Sequence, residues 1–159
     1  MRMNRILKSL LLIASFLATT MCNAQVQIST KQLDNTQWEI VLRTIMGKEE
    51  IPNRVNTWDF NMSSYSSSMY LPTLKKTSIW LFQYYVSDIE PCDYSFDKSN
   101  VGVNHEGKYI VVYNKKTDEV DYYTVMSFTD DEMVLFRKAK KEQVPNLDVY
   151  ITFKRVNDT

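Results

Sequence analysis

The sequence predicts an all-β protein, a single antiparallel up-and-down β-barrel of eight or nine strands. Three observations carry that reading. Residues 107–137 (GKYIVVYNKKTDEVDYYTVMSFTDDEMVLFR) hold three aromatic and β-branched runs, Tyr109–Tyr113, Val120–Phe128 and Met133–Arg137. Polar turns at Asn114–Asp118 and Thr129–Glu132 separate them, which is the signature of a meander. Apolar and polar residues alternate through most other segments, and no stretch after residue 33 has a convincing helical period. The connections are local, which favours a barrel over a sandwich, and closure removes the open edges that invite aggregation.

Taken in order, residues 1–24 are expected to be a signal peptide. Arg2, Arg5 and Lys8 precede a mostly apolar run, Ile6–Leu17, and Cys22-Asn23-Ala24 offers small residues at the positions read by a signal peptidase. Cleavage after Ala24 is favoured over a lipid anchor at Cys22, because Met21 and Thr19 are not the residues a lipoprotein signal places before its cysteine. The expected localisation is export to the periplasm, to the periphery of the outer membrane, or outside the cell. Residues 25–159 then form one barrel domain, a size that suits one core.

Gln25–Thr36 reads as a polar lead-in. Trp38–Ile45 alternates, with Trp38, Ile40 and Leu42 on one face, and is the first strand. Met46–Asn53, with Gly47 and Pro52, is a connection. Val55–Ser63 alternates again around Trp58 and Phe60. Ser63–Ser68 is a serine-rich patch expected in a loop or a loose strand end, and Tyr70–Lys76 a short edge strand limited by Pro72. Ser78–Val86 is apolar on both faces, so it is expected to be covered on both sides or to contact another segment. The acidic stretch 87–106 should contain short strands near Tyr94–Phe96 and Val101–Val103, since a loop that long is unusual. After the meander comes a charged connection containing Pro145, and Asp148–Val156 closes the ring against the first strand.

Charge excludes some functions. The whole chain has 19 basic and 19 acidic residues; the first 24 carry three basic and no acidic ones, leaving 16 against 19. A balance of about −3 argues against nucleic acid as a partner. After residue 24 no stretch reaches the length of a membrane span.

The titratable residues point away from catalysis. His105, the one histidine, lies among turn residues, and a triad or zinc site would need partners that the sequence does not supply. Asp130-Asp131-Glu132 and Glu49-Glu50 read as solvated turns rather than calcium loops. The basic run from Arg137 to Lys141 reads as a solubilising loop, and Cys92 as a small, partly buried thiol with no internal partner. The three glycines form no phosphate loop. No enzyme activity, cofactor or metal is expected. Aromatics are the enrichment: three Trp, ten Tyr and seven Phe. If the chosen faces turn inward, Trp58, Phe60, Trp80, Phe82, Tyr84 and Tyr122 line the barrel interior, either filling it or leaving room for one small ligand.

Residues 33–156 resemble the small secreted lipocalin-like domains of bacteria. The resemblance rests on LDNTQWEI, YYVSDIEP and SFDKSNVGVNHEGKYIVVY, and above all on DYYTVMSFTDDEMVLF followed by ITFKRV. In that family a Gly-x-Trp opens the first strand and its Trp packs on the barrel floor beneath a cation from the chain end. The resemblance gives those places to Trp38 and to Arg155 or Lys154, with Thr36 departing from the glycine. It implies a periplasmic or secreted protein that binds a small apolar or aromatic ligand without catalysis. The alternative expectation is an envelope-associated structural or protein-interaction barrel with a filled core.

Overall fold

The computed structural model describes residues 26–140 and 147–156. The segment 1–24, including Cys22, lies outside them, as do Lys141 and Pro145. Eight strands close into an antiparallel ring: β2 (Thr36–Ile45), β4 (Asn56–Phe60), β5 (Ser64–Leu71), β6 (Lys76–Ser87), β8 (Tyr109–Asn114), β9 (Glu119–Phe128), β10 (Glu132–Arg137) and β11 (Val149–Arg155). Each pairs with the next, and β11 returns to pair with β2 from Val149↔Ile45 to Arg155↔Trp38. The short β3 (Lys48–Glu50) folds back on the end of β2 as an extra strand. The up-and-down closed barrel is therefore the fold, and the expected pairing of first and last strands completes it.

One end is plugged. β1 (Ile28–Ser29) pairs with β7 (Glu106–Gly107), and the one-turn helix α1 (Thr30–Leu33) follows. A capping box starts it: Ser29 Oγ accepts from Gln32 N at 3.2 Å, and Gln32 Oε1 accepts from Ser29 N at 2.8 Å. Thr30 N and Lys31 N donate to His105 O and Asn104 Oδ1, tying the helix to the chain before β7. Ile28 and Leu33 are fully buried in the core. The lead-in is thus a structural floor rather than a polar tail. At Gly107 a Cβ would stand 2.1 Å from the Ser87 carbonyl carbon, so only glycine lets β7 lie against the end of β6.

Above this floor lies an aromatic and aliphatic core. Trp38, Tyr84, Phe153, Met133 and Leu135 are buried in its lower half. Higher up, Trp58 stacks on Tyr65 at 4.6 Å and Tyr65 on Phe82 at 4.8 Å, while Tyr123 meets Trp58 edge-on at 5.5 Å. Such pairs add about 0.5–1.5 kcal/mol each beyond area burial.

Several segments depart from the expectations. The serine-rich patch is strand β5, in which Tyr65 supplies the large inward side chain and Thr57–Ser68 hydroxyls bond across to β4. Strand ends at Leu71, and Pro72–Leu74 is a 3-10 turn rather than part of a strand. Tyr94–Phe96 and Val101–Val103 are not strands. Their segment is held instead by side-chain turns, Asp93 accepting from Ser95 N and Asp97 from Ser99 N. It packs on the outer face of the barrel, with Phe96 against Tyr85 and Tyr113, and Tyr94 against Tyr122. This covering explains why the second half of Ser78–Val86 is apolar on both faces. The first half has no such cover.

Two β-bulges change which residues face inward. Ile40 pairs with Phe153 but Leu42 with Thr152, leaving Val41 as an extra residue. Beyond it Arg43 pairs with inward-facing Ile151, so Leu42 does not share the face of Trp38 and Ile40. In β9, Met126 is the extra residue between Val125↔Leu135 and Ser127↔Val134.

Candidate functional site

The candidate site lies at the end opposite the plug. Strands β4, β5, β6, β8, β9 and β10 carry their inward-facing residues to this mouth, and the alternation that is apolar below turns polar here. On β5, Tyr65 is followed two residues on by Ser67, whose Oγ donates to Asn56 Oδ1 on β4 at 3.3 Å. On β9 and β10 the inward faces end in Asp121 and Arg137, 3.5 Å apart. The result is a cleft of about 280 Å³. Trp58, Tyr65, Phe82, Val112 and Tyr123 form its aromatic and aliphatic floor. Its rim is polar: Ser67, Asn114, Glu119, Asp121, Arg137 and Lys140. Lys140 is held there by donating to Val120 O at 2.7 Å, and its ammonium covers the Tyr94 ring at 5.1 Å.

The electrostatics follow from burial. Removal from water raises the Asp121 carboxyl above its ordinary value; Arg137, the Tyr122 backbone N–H and Lys140 oppose the shift without cancelling it. Burial pushes the Tyr123 phenol up to about 12, helped by the Asp121 charge and opposed by Arg137 and Arg43. Tyr65, more deeply set, is raised well above its ordinary value by burial and then by Tyr123 and Asp121. Both phenols are therefore neutral hydrogen-bond groups at ordinary pH. The cleft can offer a flat apolar surface beneath a neutralised ion pair.

Of the residues expected to line the interior, Trp58, Phe60, Phe82 and Tyr84 do turn inward. Phe60 and Tyr84 belong to the packed layer below the cleft, where Tyr84 Oη donates to Asn61 O at 2.8 Å. Tyr122 does not: it is on the outer face of β9, donating to Glu90 Oε1 at 2.8 Å beneath Tyr94, and Tyr123 takes the inward position. Trp80 lies on the inward face of β6 but above the rim, because β8 ends at Asn114 and pairs only with Gln83–Ser87. At the floor, Arg155 lies 5.8 Å over the Trp38 ring, while Lys154 pairs with Glu132 on the surface. Thr36 has its own use in the place of the glycine: its hydroxyl accepts the buried Trp38 indole N–H at 2.8 Å and donates to Leu33 O. Sequence reasoning missed Asp121, Arg137, Tyr123 and Tyr65. A charged residue at each end of an alternating apolar strand was the available signal for the first two.

No family model matches the chain, and no curated protein matches it. Among solved structures it is similar to a lipocalin-like protein from Bacteroides uniformis, with 12% identity and a TM-score of 0.49, covering 77% of this chain and 97% of that one. An uncharacterized protein from Bacteroides eggerthii matches at 10% identity and a TM-score of 0.49, covering 76% and 97%. The barrel described above stands on its own strand pairing. No described helix is long and apolar enough to cross a membrane.

Proposed function

We propose that the protein is an exported, non-catalytic binding barrel that takes a small aromatic ligand with a polar end at its mouth. One observation carries the reading: the mouth of the barrel holds a cleft of about 280 Å³ floored by Trp58, Tyr65 and Tyr123 and rimmed by Asp121 and Arg137. A dry cavity of about 150 Å³ accepts benzene, so this space suits one or two fused rings rather than a long acyl chain. The ring would lie against the floor, and its polar group would meet Arg137 or Asp121. The carboxylate is already paired with a guanidinium instead of being aimed at a nucleophile, which supports binding over turnover. Export belongs to the proposal through residues 1–24, and N-terminal sequencing of protein recovered from the periplasm or medium should begin at Gln25.

Calorimetric titration with 2-naphthoate, compared with decanoate, tests the site. Saturable binding of naphthoate with a Kd below about 1 mM, a change in tryptophan emission, and loss of both in Ser67→Phe would support the reading. Absence of heat and of any emission change at millimolar naphthoate would overturn it, as would stronger binding of decanoate.

A further inference from the structure

Strand β6 is twelve residues long, yet β8 pairs with only its last five, Gln83–Ser87. Its first part, Lys76–Phe82, pairs with β5 on one side and leaves the other edge open among the described residues. Which backbone groups face that edge follows from alternation. Tyr84 N donates to Ser63 O, so the even-numbered residues of β6 bond towards β5 and the odd-numbered ones away from it. Thr77, Ile79 and Leu81 therefore present N–H and C=O groups to the open side. Their side chains are exposed as well, Ile79 by 64% and Leu81 by 71%, and Trp80 beside them by 38%.

The open edge is one wall of a groove of about 700 Å³, whose other wall is the turn at Asn114, Lys115 and Lys116. The groove is positively charged. Lys76 lines one side, Lys115 and Lys116 the other, and no carboxylate lies within ion-pair distance of these three among the described residues. Between Asp59 and Asp88 the sequence has no acidic residue at all. Nearby Asp118 and Glu119 are occupied by Tyr113 Oη and Thr117 Oγ1. Edge strands are usually guarded by short length, bulges or charges on the strand itself; here three consecutive apolar residues occupy the middle of the edge.

We propose that this groove is a docking site for an extended polypeptide segment that adds a strand to β6, with apolar side chains over Ile79 and Leu81 and carboxylates towards Lys76, Lys115 and Lys116. Backbone pairing along Thr77, Ile79 and Leu81 would supply affinity, and the lysine walls would select acidic segments. A second copy fits less well, because its own lysines would enter a groove already positive. A lipid surface would use the apolar side chains but leave the open N–H groups unpaired.

The test is a fluorescence-anisotropy titration with a labelled synthetic peptide of alternating valine and threonine carrying two glutamates at each end. Ile79→Pro removes one outward N–H without touching the bonds to β5, so the fold should survive. Ile79→Asp keeps the whole backbone and adds a repelling charge. Saturable binding that falls at least tenfold in both variants, and also in Lys115→Glu/Lys116→Glu, supports the proposal. No binding, or binding unchanged in Ile79→Pro and Ile79→Asp, overturns it. So does a dimer in sedimentation that these variants dissolve, which assigns the edge to a second copy. Binding to phosphatidylglycerol vesicles without peptide binding assigns the patch to lipid and overturns it equally.

Discussion

At one end of the barrel Ile28 and Leu33 are buried at a capped helical turn, and the Trp38 indole N–H donates to Thr36 Oγ1 under the guanidinium of Arg155. At the other end Asp121 and Arg137 stand half-buried over a cleft that nothing among the described residues covers. The two ends use the same alternating strands and differ only in what the last inward residues are. Apolar residues with a plug make a floor whose worth is stability. Charged residues without a plug make a mouth whose burial costs energy, as the raised Asp121 carboxyl shows. The floor should therefore respond to substitution through folding, and the mouth through binding and pH.

The floor should be the costlier end to disturb. Leu33→Ala should cost about 4 kcal/mol, the loss of a fully buried leucine plus the cavity left beneath the core. Urea unfolding would measure it. The variant that remains folded should bind 2-naphthoate as the wild type does; a parallel loss of affinity would mean that the two ends are not separable. Gly107→Ala should follow at about 3 kcal/mol, because its Cβ meets the Ser87 backbone rather than a flexible side chain. A stability within experimental error of wild type would show that β7 need not lie so close to β6.

How much of this contrast was legible in the sequence differs between the ends. Strand periodicity identified most of the ring, and Trp38 with Arg155 could be placed at the floor by resemblance. The plug was readable too, since Ser29-Thr30-Lys31-Gln32 has the spacing of a capping box, though four residues give no hydrophobic period to notice. The mouth was harder for physical reasons. Val120–Phe128 is apolar on both faces because the segment after β6 covers its outside, so alternation could not choose between Tyr122 and Tyr123. The bulges at Val41 and Met126 reverse the alternation midway along their strands, which moves Arg43 to the inward face. Trp80 shares the inward face of β6 with Phe82, but its height cannot be read from β6, because the end of β8 sets the rim. The serines of β5 look like a loop until Tyr65 is seen to supply the large inward residue and Ser67 the polar layer of the mouth.

The cap of the plug should contribute less. Ser29→Ala removes the acceptor for Gln32 N and should cost about 1 kcal/mol, with Ser29→Gly costing less if its backbone N–H still donates to Gln32 Oε1. Urea midpoints would measure both. Equal and larger losses would mean that the seat of Ser29 in the core, rather than the cap, is what matters.

The smallest effect near neutral pH is at the mouth, and its pH dependence carries the information. Asp121 has a carboxyl raised above 3.8 in the folded state. Between the ordinary value and the raised one, the folded chain binds more protons at this site than the unfolded chain does. Stability from this group is therefore gained as pH falls through the folded value and lost as pH rises through it. Asp93 and Asp97, lowered by their serine partners, act in the opposite sense and lose their contribution as pH falls towards and below 3.8. Comparing wild type with Asp121→Asn isolates the mouth, because the other carboxylates are common to both. The urea midpoint of the wild type relative to the variant should rise as pH is lowered from about 7 towards about 4. A difference that shrinks on acidification would mean that attraction to Arg137 outweighs the cost of burying Asp121. In that case the mouth would be a second stabilising end, and the contrast with the floor would fail.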